Sequence, residues 1–106
     1  MINVRFYTKN GKLYGFLTEG HAESGECGAD IVCAAVSSAA YLAANTVTEI
    51  LKTTAAAKAK DGYLKFKLIS SDKKAENVLK GYKLHIEGLR EQYPGYIKIM
   101  EEKLQC

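Results

Sequence analysis

From Ile31 to Thr48 the chain carries no charged residue, a run close to the roughly 20 apolar residues that cross a bilayer. A run of that kind has to be hidden from water. Ser37, Ser38, Asn45, Thr46, Thr48 and the many alanines weaken any signal for membrane insertion, so no membrane partner is expected and the segment reads as a core helix. Val32, Val36, Ala39, Ala40, Ala43, Val47, Ile50 and Leu51 fall roughly on one side of it. Small side chains there let other elements approach closely.

The rest of the chain has to supply the surface that covers this helix. With 106 residues there is room for one domain spanning 1–106 and no more. Ile2, Val4 and Phe6 alternate with Asn3, Arg5 and Tyr7, and Asn10-Gly11 offers the positive-φ pair of a tight turn before Leu13 to Thr18 resumes an extended pattern. That predicts a β-hairpin. Gly20, Gly25 and Gly28, interleaved with polar residues, predict a loop. Thr53 to Gly62, rich in alanine and lysine, reads as an extension of the core helix, stopped by Asp61-Gly62.

Leu64, Phe66 and Leu68 alternate with Lys65 and Lys67 as a third strand. Ser70, Ser71 and Asp72 are candidate N-caps for an amphipathic helix through Ala75, Val78, Leu79, Tyr82, Ile86, Leu89 and Tyr93, ended by Pro94-Gly95. Tyr96 to Met100 reads as a fourth strand. The expected fold class is α+β: a two-layer α/β sandwich of order ββαβαβ, with a four-stranded sheet covered on one face by two helices.

Charge narrows the function. Fifteen cations against twelve acids give a formal +3, too mild to require a nucleic-acid footprint. Only Arg5 and Arg90 carry the planar fork suited to base reading, so no direct nucleic-acid role is expected. The lysines from Lys52 to Lys83 read as a solvated face able to steer an anionic partner. Cys27, Cys33 and Cys106 form an odd set with no signal peptide before them, which fits a reducing cytoplasm.

Chemistry concentrates in residues 20–37. His21 follows a strand, glycines follow His21, and Cys33 falls inside the first turn of the expected helix. A cysteine attacks as its thiolate, and an ordinary thiol with a pKa of about 8.5 is mostly protonated at neutral pH. A helix N-terminus favours an anion by roughly 0.3 to 1 kcal/mol, and an imidazolium close by adds more. His21 and Cys33 together can therefore form a thiolate-imidazolium pair, with N–H groups of the first turn available to an oxyanion. That combination suits acyl transfer.

Ser37, four residues on, shares the face of Cys33 and either lines a pocket or bonds back to the Cys33 carbonyl. Asp30 has two readings: an N-cap that fixes the helix start, or a carboxylate that orients His21 as the third member of a triad. Cys33 also has a plain alternative as a small buried hydrophobe. His21, Cys27 and Cys33 lack the short knuckle of a zinc site, and the glycines lack the spacing of a phosphate cradle, so neither metal nor cofactor is expected.

The segment Gly20-His21-Ala22, a glycine-containing loop, and Asp30-Ile31-Val32-Cys33-Ala34-Ala35-Val36-Ser37 resembles the signature of the Prp family of ribosomal-processing cysteine proteases. The resemblance implies Cys33 as nucleophile and His21 as base, with Asp30 and Ser37 at matching positions and Gly20, Gly25 and Gly28 in a loop over the site. It implies a homodimer that removes the N-terminal extension of large-subunit ribosomal protein L twenty-seven. Cys27 departs from the family pattern and is a candidate for oxidative pairing with Cys33. A non-catalytic ribosome-assembly module that binds through its lysine-rich face is the alternative.

Overall fold

The computed structural model describes residues 1–20 and 29–105, the side chains of Ala29 and Asp30 apart. Strands β1 (Ile2–Lys9) and β2 (Lys12–Glu19) form the expected hairpin. Asn10 and Gly11 both take positive φ at its tip, 54° and 77°, the pair that a tight hairpin turn requires. Helix α1 (Ala29–Asn45) follows and runs into a π-helical turn, Thr46–Ile50, where the Leu51 N–H reaches the Thr46 carbonyl five residues back. Thr46 and Thr48 donate their hydroxyls to the carbonyls of Leu42 and Ala44, the back-bonding that loosens a helix ladder at its end.

The next element corrects the expectation from composition. Ala55–Lys60 is not helix but strand β3, antiparallel to β4 (Tyr63–Leu68), with Gly62 at φ 68° in the connecting turn. Alanine favours helix and disfavours strand. Six cross-strand pairs with β4 override that preference here, and Asp61-Gly62 acts as a hairpin turn rather than a helix stop. Helix α2 (Lys73–Gln92) opens on Asp72, whose carboxylate accepts from the Ala75 N–H at 2.8 Å, and β5 (Ile97–Lys103) closes the chain beside β1, parallel to it.

The sheet therefore has five strands, in the order β3-β4-β2-β1-β5, and the chain order is ββαββαβ rather than ββαβαβ. Both helices lie on one face, as expected for two layers. Val32, Val36, Ala40, Ala43 and Val47 from the first helical segment meet Val4, Phe6, Phe16 and Phe66 from the sheet, with Leu79 and Ile86 from α2. The uncharged segment is thus one wall of a packed interior. Ile31–Ile50 has the length and mean hydropathy, 1.5, of a membrane span, but its apolar stripe is already covered by the sheet.

Among the described residues, buried side-chain polar groups are all hydrogen-bonded. Buried Glu76 accepts from the Leu13 N–H at 3.1 Å, beside the irregularity in the β1–β2 register. Thr18 and Tyr82 share a hydroxyl hydrogen bond of 2.8 Å between β2 and α2, with the Tyr82 ring tilted against Phe16 at 4.5 Å. Burial pushes the Tyr82 phenol above its ordinary value of 10.0. Above about pH 10 the unfolded chain releases this proton while the folded chain keeps it, so stability falls as pH rises there. Tyr82→Phe should cost about 1 kcal/mol at pH 7 and make the alkaline loss shallower, read as urea midpoints from pH 8 to 11.

Candidate active site

A groove of about 270 Å³ opens where α1 crosses the end of the sheet. Its helical wall is Cys33, Ser37 and Tyr41, which stand at i, i+4 and i+8 on one face of α1. Val36 and Ala40 from the same helix, with Ile2 and Leu64 from the sheet, form an apolar floor beside buried Thr18. The opposite wall is the tip of the β3–β4 hairpin: Lys60, Asp61, Gly62 and Tyr63. Cys33 is half-buried and Tyr41 is 44% exposed. The groove thus has a thiol at one end and an aromatic ring two helical turns, about 12 Å, away.

Gly20 sets the junction at the third side. Its φ is +116°, and a Cβ there would lie 2.5 Å from the Met1 carbonyl oxygen. Its N–H donates to the Gly62 carbonyl at 3.0 Å. Only a residue without a side chain passes between the start of β1 and the hairpin tip in this conformation. Gly20 thereby fixes where the chain leaves β2 toward His21. Lys60 in turn stacks its ammonium 5.0 Å from the centroid of Tyr63, which holds a cation at the rim.

Two local expectations change. Helix α1 already includes Asp30 as its second residue, so Asp30 does not stand at the N-cap. Cys33 is the fifth helical residue rather than a first-turn residue, so its own amide enters the helical ladder and the unpaired amides lie one turn before it. The Cα–Cβ bond in a helix tilts toward the N-terminus, which returns the sulfur toward those amides. Ser37 lines the groove, as favoured. His21, Gly25, Cys27 and Gly28 lie outside the described residues. His85 is exposed on α2, as expected for a solvated face.

Tyr41, Lys60, Asp61 and Tyr63 were absent from the sequence expectation. Continuing the four-residue step from Cys33 and Ser37 reaches Tyr41. The other three become legible only when Asp61-Gly62 is read as a hairpin turn.

Comparisons agree with this geometry. The family model described as cysteine protease Prp matches residues 1–98. The structure of SMU.848 from Streptococcus mutans superposes with a TM-score of 0.87 at 32% identity, over 98% of this chain and 96% of that one. The essential ribosomal processing protease Prp from Staphylococcus aureus shares the fold in two complexes, each over 96% of this chain and 100% of that one. With a covalently linked product peptide the TM-score is 0.85 at 24% identity, and with a substrate peptide 0.88 at 23%. Among curated proteins nothing matches. A match over nearly the whole length, on a fold that sets a thiol at the end of a groove, leaves one conclusion: the chain belongs to the Prp family of cysteine proteases.

Proposed function

We propose that this protease removes the N-terminal extension of large-subunit ribosomal protein L twenty-seven, with Cys33 as nucleophile and His21 as base. The observation that carries the reading is the placement of Cys33: half-buried, at the head of a groove floored by apolar side chains and walled by Tyr41 and the tip of the β3–β4 hairpin. About 12 Å of wall from Cys33 to Tyr41 accommodates three to four residues of extended peptide at roughly 3.3 Å each.

His21 takes the thiol proton, the thiolate adds to the scissile carbonyl, and amides at the start of α1 hold the oxyanion. Collapse expels the amine of the mature protein, protonated by the imidazolium, and leaves the extension as a thioester on Cys33. Water activated by His21 then releases the extension as a carboxylate. Asp30, one turn before Cys33, and Ser37, on the groove wall, support the reacting pair. The setting is the cytoplasm, where thiols stay reduced. Exposed Ile31, Leu42 and Leu84 on the helical layer support assembly as a homodimer.

The test is incubation with a synthetic peptide copying the extension and first mature residues of the organism's own L twenty-seven, read by mass spectrometry. The expected result is a single cut that yields two fragments, unaffected by a chelator. An intact peptide after prolonged incubation with folded protein would overturn the substrate assignment. The alternative, a non-catalytic assembly module, is disfavoured by a groove that opens on the thiol.

A further inference from the structure

The sheet face away from the helices carries a charge pattern that proteolysis does not use. Leu64, Phe66 and Leu68 of β4 point into the core, so Tyr63, Lys65 and Lys67 point outward. The register sets Lys58 directly opposite Lys65, and Lys60 opposite Tyr63. Two like charges placed opposite each other on one face destabilise a sheet. Among the described residues none of Lys58, Lys60, Lys65 or Lys67 forms an ion pair. The four charges exceed the net +3 of the whole chain.

Three of these lysines are held over aromatic rings. The ammonium groups of Lys67 and Lys65 lie 4.4 and 5.9 Å from the centroid of the same ring, Tyr7, which is only 3% exposed beneath them. Lys60 is held over Tyr63 and also borders the groove, so the cationic face runs up to the rim of the active site.

The geometry points to this face as a docking surface for the phosphate backbone of single-stranded RNA, beside the protease groove, which revises the expectation of no direct nucleic-acid role that net charge alone had suggested. Rows of cations spaced about 6.7 Å along a strand and about 4.8 Å across strands meet a repeating anion, not one discrete phosphate. Lysines act as point charges that position a backbone without reading bases. The choice of RNA over an acidic protein rests on the ribosomal-protein reading above: a substrate that travels with ribosomal RNA brings that polyanion with it.

The test uses a fluorescein-labelled 20-nucleotide single-stranded RNA of mixed sequence and the full chain, followed by anisotropy. Four phosphate contacts predict affinity falling about 50-fold between 50 and 200 mM salt, and Lys58→Gln/Lys65→Gln reduces that to about 7-fold. The double variant is expected to keep the wild-type rate on the extension peptide and a thermal midpoint no lower than wild type, since both side chains lie outside the groove and repel each other. Polyglutamate of matched charge should displace the RNA poorly. No binding at 50 mM salt, an unchanged salt slope in the double variant, or polyglutamate binding as tightly as RNA would each overturn the proposal. Peptide cleavage is measured separately, so failure of the substrate reading is distinguishable from failure of this one.

Discussion

Cys33→Ala is expected to lower kcat/KM on the extension peptide by about four orders of magnitude or more, because removing the proposed nucleophile leaves only binding and oxyanion stabilisation. Stability should change by less than about 1 kcal/mol, since the thiol is half-buried and its loss opens no large cavity. Peptide binding should survive, because Tyr41, the hairpin tip and the apolar floor are untouched. Cleavage assays on the variant, with binding measured by anisotropy of labelled peptide, separate these outcomes. Residual turnover within tenfold of wild type would remove Cys33 from the chemistry.

Gly20→Ala should produce the largest combined loss of stability and activity outside the reacting pair. At φ +116° an alanine is strained by about 1–3 kcal/mol. Its Cβ also meets backbone on arrival: 2.5 Å to the Met1 carbonyl oxygen and 3.3 Å to the Ile2 Cα. Ile2 cannot yield freely, since it is buried, paired with Ile97, and its N–H donates to the Tyr96 carbonyl at 2.9 Å. We expect a total of about 2–4 kcal/mol, or a drop of about 10–20 °C in Tm for a domain of this size.

Activity at a temperature where the variant is folded should fall as well, because relief of the clash moves the Gly20–Gly62 bond and with it the hairpin wall of the groove. Gly11→Ala is the matched control. Its φ is +77°, but nothing lies within 4 Å of the added Cβ, so it should cost about 1 kcal/mol and leave cleavage unchanged. Thermal denaturation and cleavage rates on the two variants check both expectations. Equal behaviour of the pair would mean that Gly20 serves only the turn.

Legibility of the fold followed how much local chemistry each element carried. The first hairpin announced itself through Asn10-Gly11 between alternating strands, and α2 through its Asp72 cap and apolar period. Strand β3 had neither signal. It lies at the sheet edge with almost every residue exposed, so burial imposed no hydrophobic alternation, and its alanines favour helix when considered locally. Pairing with β4, a non-local event, made it a strand. The same error hid half of the groove, because Lys60, Asp61 and Tyr63 reach the site only through that hairpin.

The helical half of the site was legible because a fixed period of 3.6 carries Cys33 to Ser37. The start of α1 before Asp30 was not, since the sequence offers several polar residues there and none with a distinctive cap pattern. Charge showed a similar division. The lysines were countable in the chain, but their gathering on the uncovered face of β3 and β4 depended on register.

The central claim is that Cys33 reacts as a thiolate partnered by His21. Alkylation by iodoacetamide at pH 6.5, followed at Cys33 by peptide mass mapping, tests it without any assumption about substrate. The expected result is modification far faster than that of glutathione under the same conditions, slowed about tenfold or more by His21→Ala. Modification no faster than glutathione, and indifferent to His21→Ala, would contradict the account.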